Sequence, residues 1–148
     1  MFIQLFYGAI LIAVTVMIHA GCLEVIMAVW KTVSLDLEVR WRTLSFSLTV
    51  IGIFVAHIME IAVWALFFHY VGVLETWESA VYFSTSSFTT VGFGDLVLSQ
   101  EWRLLGSIEA INGMILFGWS TAFLFAGVRR IYSHLYGLDA SFSRAPQA

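Results

Sequence analysis

The chain has 148 residues, of which 60% are hydrophobic and only 11% charged. Soluble domains carry roughly 25% charged and 45–50% apolar residues, so lipid is the solvent for most of this chain, and no ordinary soluble domain fits beside its apolar stretches. A formal net charge of −3 argues against nucleic acid as a partner, and a single cysteine, Cys22, excludes an intrachain disulfide.

The opening Met-Phe-Ile-Gln-Leu-Phe-Tyr lacks the basic region of a signal peptide and reads as mature chain. Three stretches are long enough to cross hydrocarbon, which takes about 20 helical residues. The first runs from about Phe2 to a point between Ala20 and Trp30, the second from Leu44 to Tyr70, and the third from Leu104 to Val128. Between the last two lies a shorter apolar segment, Trp77 to Thr89. At helical rise it reaches only about 20 Å, which suits a re-entrant helix. Thr76 can cap it, and Glu78 sets a carboxylate against the positive end of its dipole.

Lys31, Arg40 and Arg42 lie in the first connection, and Arg129, Arg130 and Arg144 follow the third span; only Arg103 stands on the other side. That bias makes the first side cytoplasmic. The N-terminus is then outside, the C-terminus inside, and the short helix enters from outside. Asp36 and Glu38 dilute the inner charge but weigh little in the rule. Trp64, Tyr70, Trp77 and Trp102 are expected near the outer interface, and Trp30, Trp41 and Tyr132 near the inner one.

Directly after the short helix stands Thr90-Val91-Gly92-Phe93-Gly94-Asp95. Its alternate glycines reach positive φ without a Cβ clash. Non-helical backbone at membrane depth is tolerated only where protein buries it or a watery cavity faces it, so the segment suggests a path for something polar. Successive carbonyls turned inward from four chains can replace the water shell of a potassium ion. Val91 and Phe93 then project outward and brace the loop, Thr90 adds a hydroxyl at the inner mouth, and Asp95 draws cations at the outer mouth or anchors the loop.

This segment resembles the filter of the potassium-channel pore family, with Phe93 in place of the commoner tyrosine, and the likeness extends over Leu44 to Val128. The resemblance, to the bacterial two-helix type, implies an all-α membrane protein with three spanning helices and a re-entrant pore helix. Its divisions are an additional helix over 1–30, a cytoplasmic connection over 31–43, a pore domain over 44–128 and a tail over 129–148. Within the pore domain it implies an outer helix at 44–70, a pore helix at 77–89, a filter at 90–95 and an inner helix at 104–128. It also implies Gly113 as a gating hinge, with Met114, Phe117 and Thr121 facing a water-filled cavity. Tight helix packing is the equal alternative for Gly113, since small residues mark membrane interfaces.

One filter segment per chain calls for four chains, hence a homotetramer, with lipid and potassium as its other partners and no cofactor beyond filter ions; a short chain without regulatory domains is expected in a prokaryotic inner membrane. The first helix departs from the family pattern and is too poor in arginine for a voltage sensor; it packs around the tetramer or lies in the inner interface from Glu24 onward. The residues after Val128 are too few for a large cytosolic domain, and Arg129, Arg130, Tyr132 and His134 read as an interfacial anchor.

Ionisable residues inside spans are functional candidates. His57 and Glu60 share one face of the second helix and are expected to form an interhelical hydrogen-bonded pair, two ligands being too few for zinc. Glu109 is expected to brace the pore helix, or, as the sharper alternative, to tune gating by taking up a proton. Asn112 either lines the upper cavity or bonds a neighbour, and His19 and His69 are expected at interfaces. Glu75, Glu78, Asp95 and Glu101 would line one mouth with negative charge and concentrate cations there. A weakly selective cation channel and a non-conducting accessory subunit are the alternative functions. An intramembrane enzyme built on His57, Glu60 and Glu109 lacks a nucleophile or metal constellation of recognisable spacing.

Overall fold

A computed structural model describes residues 2–32 and 39–136. The described residues form four helices: α1 (Phe2–Thr32), α2 (Val39–Tyr70), α3 (Trp77–Phe88) and α4 (Arg103–Tyr136). Three of them, α1, α2 and α4, are long and apolar enough to cross a membrane. At 31 residues α1 is one unbroken rod, roughly 46 Å long at helical rise. The first span therefore runs past Ala20 and Trp30, and α2 and α4 also extend beyond their expected limits at Leu44 and Val128. Backbone hydrogen bonding continues through Gly21 of α1 and Gly127 of α4, where a single glycine costs a helix only about 1 kcal/mol, and no proline interrupts these helices. The expectations on Asp36, Glu38 and Arg144 fall outside the described residues, as do those on the side chains of Arg40, Arg42, Arg130, Tyr132 and His134.

The first two helices are antiparallel. At one end Tyr7 of α1 packs against Phe67 of α2, ring centroids 5.2 Å apart; at the other, Trp30 donates from Nε1 to Thr49 Oγ1 at 2.7 Å. The ring of Trp30 also covers Gly127 of α4, so this indole holds three helices together at the end away from α3. Thus α1 packs along α2 and α4 of its own chain, while Glu24 remains exposed.

The buried core gathers at the α3 end. Phe68, Phe88, Leu105 and Leu116 are fully buried there, and Leu11 of α1 joins the same cluster. Trp64 belongs to it too, with no exposed surface and its Nε1 without a hydrogen-bond partner among the described residues. The expected interfacial Trp64 is therefore a core residue. Its position on α2 turns the indole toward the other helices, where burial of its large apolar area outweighs an unmade hydrogen bond. Tyr70 and Trp77 are exposed, and Trp102 is half-buried against Tyr7 and Phe67.

Candidate functional site

The short helix starts where its cap allows. Thr76 has extended backbone and its hydroxyl accepts from the Ser79 amide at 3.1 Å, with Glu78 in the first turn. Trp77–Phe88 then descends beside the first turns of α4, and Thr89 caps it. The contact is close because α4 presents glycines to it. Gly106 faces the Phe83 ring, and a Cβ at Gly113 would overlap the Phe88 carbonyl oxygen. The Ser87 hydroxyl adds a 2.7 Å hydrogen bond to the Gly106 carbonyl.

The chain then changes character. Positive φ occurs at Thr90 (62°), Gly92 (56°) and Gly94 (79°), and not at Val91 or Phe93 between them. In an ordinary extended strand successive carbonyls point to opposite sides. Alternating the sign of φ cancels that alternation and turns them toward one side. Glycine adopts such angles freely, but Thr90 is β-branched, for which positive φ is a true outlier costing about 1–3 kcal/mol. Anchors hold the loop in this shape: the Gly92 amide donates to the Ser86 carbonyl at 3.1 Å, and the Thr90 amide to the Ser87 carbonyl at 2.9 Å.

Asp95 closes the segment and accepts a 2.8 Å hydrogen bond from the Tyr82 hydroxyl of α3. That bond and the neighbouring carboxylate charge hold the Tyr82 phenol above its usual range, because ionisation would forfeit the donor and set two negative groups together. Tyr82→Phe should remove this anchor and loosen the loop. Faster amide hydrogen exchange over residues 90–95, with the helices unchanged, is the measurement that checks it.

On α4, Met114 and Thr121 are exposed in the single chain, on the face left for other subunits, lipid or water. Phe117 differs: its ring is half-buried against His57 (4.4 Å between centroids) and Phe88 (5.7 Å). An aromatic ring at the edge of the buried stripe gains by lying on its neighbours, and the rest of the Phe117 side chain stays open. Asn112 is buried, and its amide donates to Thr15 Oγ1 of α1 at 2.8 Å. Glu109 is fully buried at the α3–α4 contact, facing Ser84 and Ser87, and neither carboxyl oxygen meets hydrogen-bond geometry with a partner among the described residues.

His57 and Glu60 share one face of α2 and are hydrogen-bonded to other helices, as expected. They also bond each other within α2, Nδ1 to Oε2 at 2.8 Å. The interhelical partners are His19 of α1 and Ser120 of α4. His19, expected at an interface, has no exposed surface. With α1 running unbroken to Thr32, residue 19 falls near its middle. A histidine at mid-span was the available signal, obscured by the uncertain end of that helix. His69 sits at the end of α2, half-buried and stacked on Trp77 at 5.0 Å.

Residues 54–130, more than half of the chain, match the family model described as ion channel. The matched segment takes in most of α2, all of α3, the loop with alternating φ, and α4 as far as Arg130; α1 lies outside it. No curated protein and no solved structure matches the chain.

Proposed function

The chain belongs to the ion-channel family, and from that premise we propose that it is one subunit of a homotetrameric, potassium-selective pore with Thr90 to Gly94 as its filter. The observation that carries this reading is the alternation of positive φ at Thr90, Gly92 and Gly94. One-sided carbonyls from one chain form a quarter of an ion cage, and four-fold assembly completes a ring of oxygens able to replace potassium's water. A strained threonine in such a loop is an expense that a mere connection would not carry. The bond from Tyr82 to Asp95 supports a filter braced by its own pore helix.

In the proposed orientation the N-terminus and the acidic mouth (Glu75, Glu78, Asp95, Glu101) face outside and the C-terminus lies in the cytoplasm. Glu109 acts as a brace between α3 and α4, and Met114 and Thr121 line the cavity. The test is the reversal potential of the purified protein in a bilayer with potassium on one side and sodium on the other. Reversal near the potassium equilibrium potential is expected. Reversal near zero would make the pore a weakly selective cation channel and dismiss the filter assignment.

A further inference from the structure

The helix outside the matched segment brings a third donor to the two on α2. His19 Nδ1 lies 2.8 Å from Glu60 Oε1, and His57 Nδ1 lies 2.8 Å from Glu60 Oε2. On the far side of both rings the Nε2 atoms converge on one hydroxyl of α4, Ser120 Oγ, 3.0 Å from His57 and 3.3 Å from His19. One ligating atom from each of His19, His57 and Glu60 lies within 4.8 Å of the others, and all three residues are buried.

Hydrogen counting shows what this ring lacks. Four contacts close it, and each requires one hydrogen. A carboxylate, two neutral imidazoles and one hydroxyl supply only three. In that form two lone pairs oppose each other in a buried site, at a cost of about 1–3 kcal/mol. A cation on the Nδ1 side removes the conflict. Each ring then carries its hydrogen on Nε2, and both donate to the two lone pairs of Ser120 Oγ. A metal-bound histidine is ordinarily held this way, through its second nitrogen.

We propose that His19, His57 and Glu60 form a binding site for a zinc-type divalent cation, with Ser120 orienting both imidazoles. Two imidazole nitrogens and one carboxylate suit zinc and its late first-row neighbours, whereas calcium and magnesium take oxygen donors. At bond lengths of about 2.0–2.2 Å two tetrahedral donors stand about 3.4 Å apart, so the 2.8 Å contacts to Glu60 open by roughly half an ångström and the widest separation, within 4.8 Å, narrows by up to about 1.4 Å. Three protein ligands leave the fourth tetrahedral position for water. Phe117 against His57 and Trp119 against His19 (centroids 5.2 Å apart) wall the site. Occupancy would tie α4, beyond Gly113, to both other spanning helices, and so give α1 a role in setting the position of α4.

The test uses the full chain in detergent, without a polyhistidine tag, stripped by chelator and titrated with zinc and with cobalt. One ion per chain is expected, with the visible absorption of four-coordinate cobalt. Ser120→Ala should weaken binding by about 10–100-fold, His19→Ala and Glu60→Gln by more, and His69→Ala not at all. If these variants fail to assemble, zinc-edge X-ray absorption of the unmutated protein decides. A shell containing two imidazoles supports the site, and a shell of oxygens alone overturns it. A fourth hydrogen would satisfy the same count. No retained ion, together with imidazole signals that titrate by NMR, would make the cluster a proton site and overturn the metal assignment. Metal binding is read without any current, so its failure and a failure of potassium selectivity are separate results.

Discussion

Gly92→Ala is expected to silence the proposed potassium conduction while leaving insertion and assembly in place. Gly92 stands at φ 56° with no atom beyond its chain neighbours within 4 Å of an added Cβ, so the effect is conformational and not one of crowding within the chain. An L residue held in the left-handed region costs roughly 1–2 kcal/mol. In the proposed ring of four chains that strain sums to about 4–8 kcal/mol. The relief is a return to negative φ, which swings a carbonyl out of line. Thr90 already holds a side chain at positive φ, so the loop can be built under strain, and conduction is the expected casualty. Rubidium flux into liposomes should fall to background while size-exclusion elution stays unchanged. Gly72, at φ 75° in the turn after α2, is the control: Gly72→Ala should cost about 1 kcal/mol in stability with selectivity unaltered. A conducting, selective Gly92→Ala channel would refute the carbonyl ring.

Gly113→Ala is expected to damage assembly first. Its Cβ would overlap the Phe88 carbonyl oxygen and stand 2.9 Å from the carbonyl carbon and 3.1 Å from Phe88 Cδ1. Backbone at the end of α3 cannot step aside as a flexible side chain would, so α3 must shift and carry the loop with it. Overpacking of this kind costs about 1–3 kcal/mol per chain, occasionally more. A clear fall in melting temperature and loss of selectivity are the expected readouts. Gly118 has nothing within 4 Å, and Gly118→Ala should leave melting unchanged or raise it slightly, by up to about 1 kcal/mol in helix propensity. Close packing thus suffices to require glycine at 113. A Gly113→Ala channel that assembles and melts normally but no longer opens would favour the hinge.

The three-helix junction illustrates why a cluster can escape a sequence reading. His57 and Glu60 are three residues apart on one helix, and that spacing puts them on one face before any fold is known. His19 and Ser120 reach them from helices whose register is set by packing. The partner positions lie 41 and 63 residues away along the chain, and no local periodicity encodes which turn of α1 meets which turn of α2. The same holds for Asn112 and Thr15, and for the choice of Trp64 over Tyr70 as the buried aromatic.

The sequence by itself determined the features that rest on local physics. Length and hydropathy set the three spans, the Thr76 cap set the start of the short helix, and the glycine alternation after it marked the loop that departs from helix. Only the tertiary structure decided where the spanning helices end, that α1 packs against its own chain, that Phe117 turns onto His57, and that His19 joins Glu60. Those outcomes depend on the relative register of helices that are apolar on nearly all sides. An amphipathic stripe would have announced which face packs inward. In lipid both faces are apolar, so shape and a few buried polar contacts make the choice.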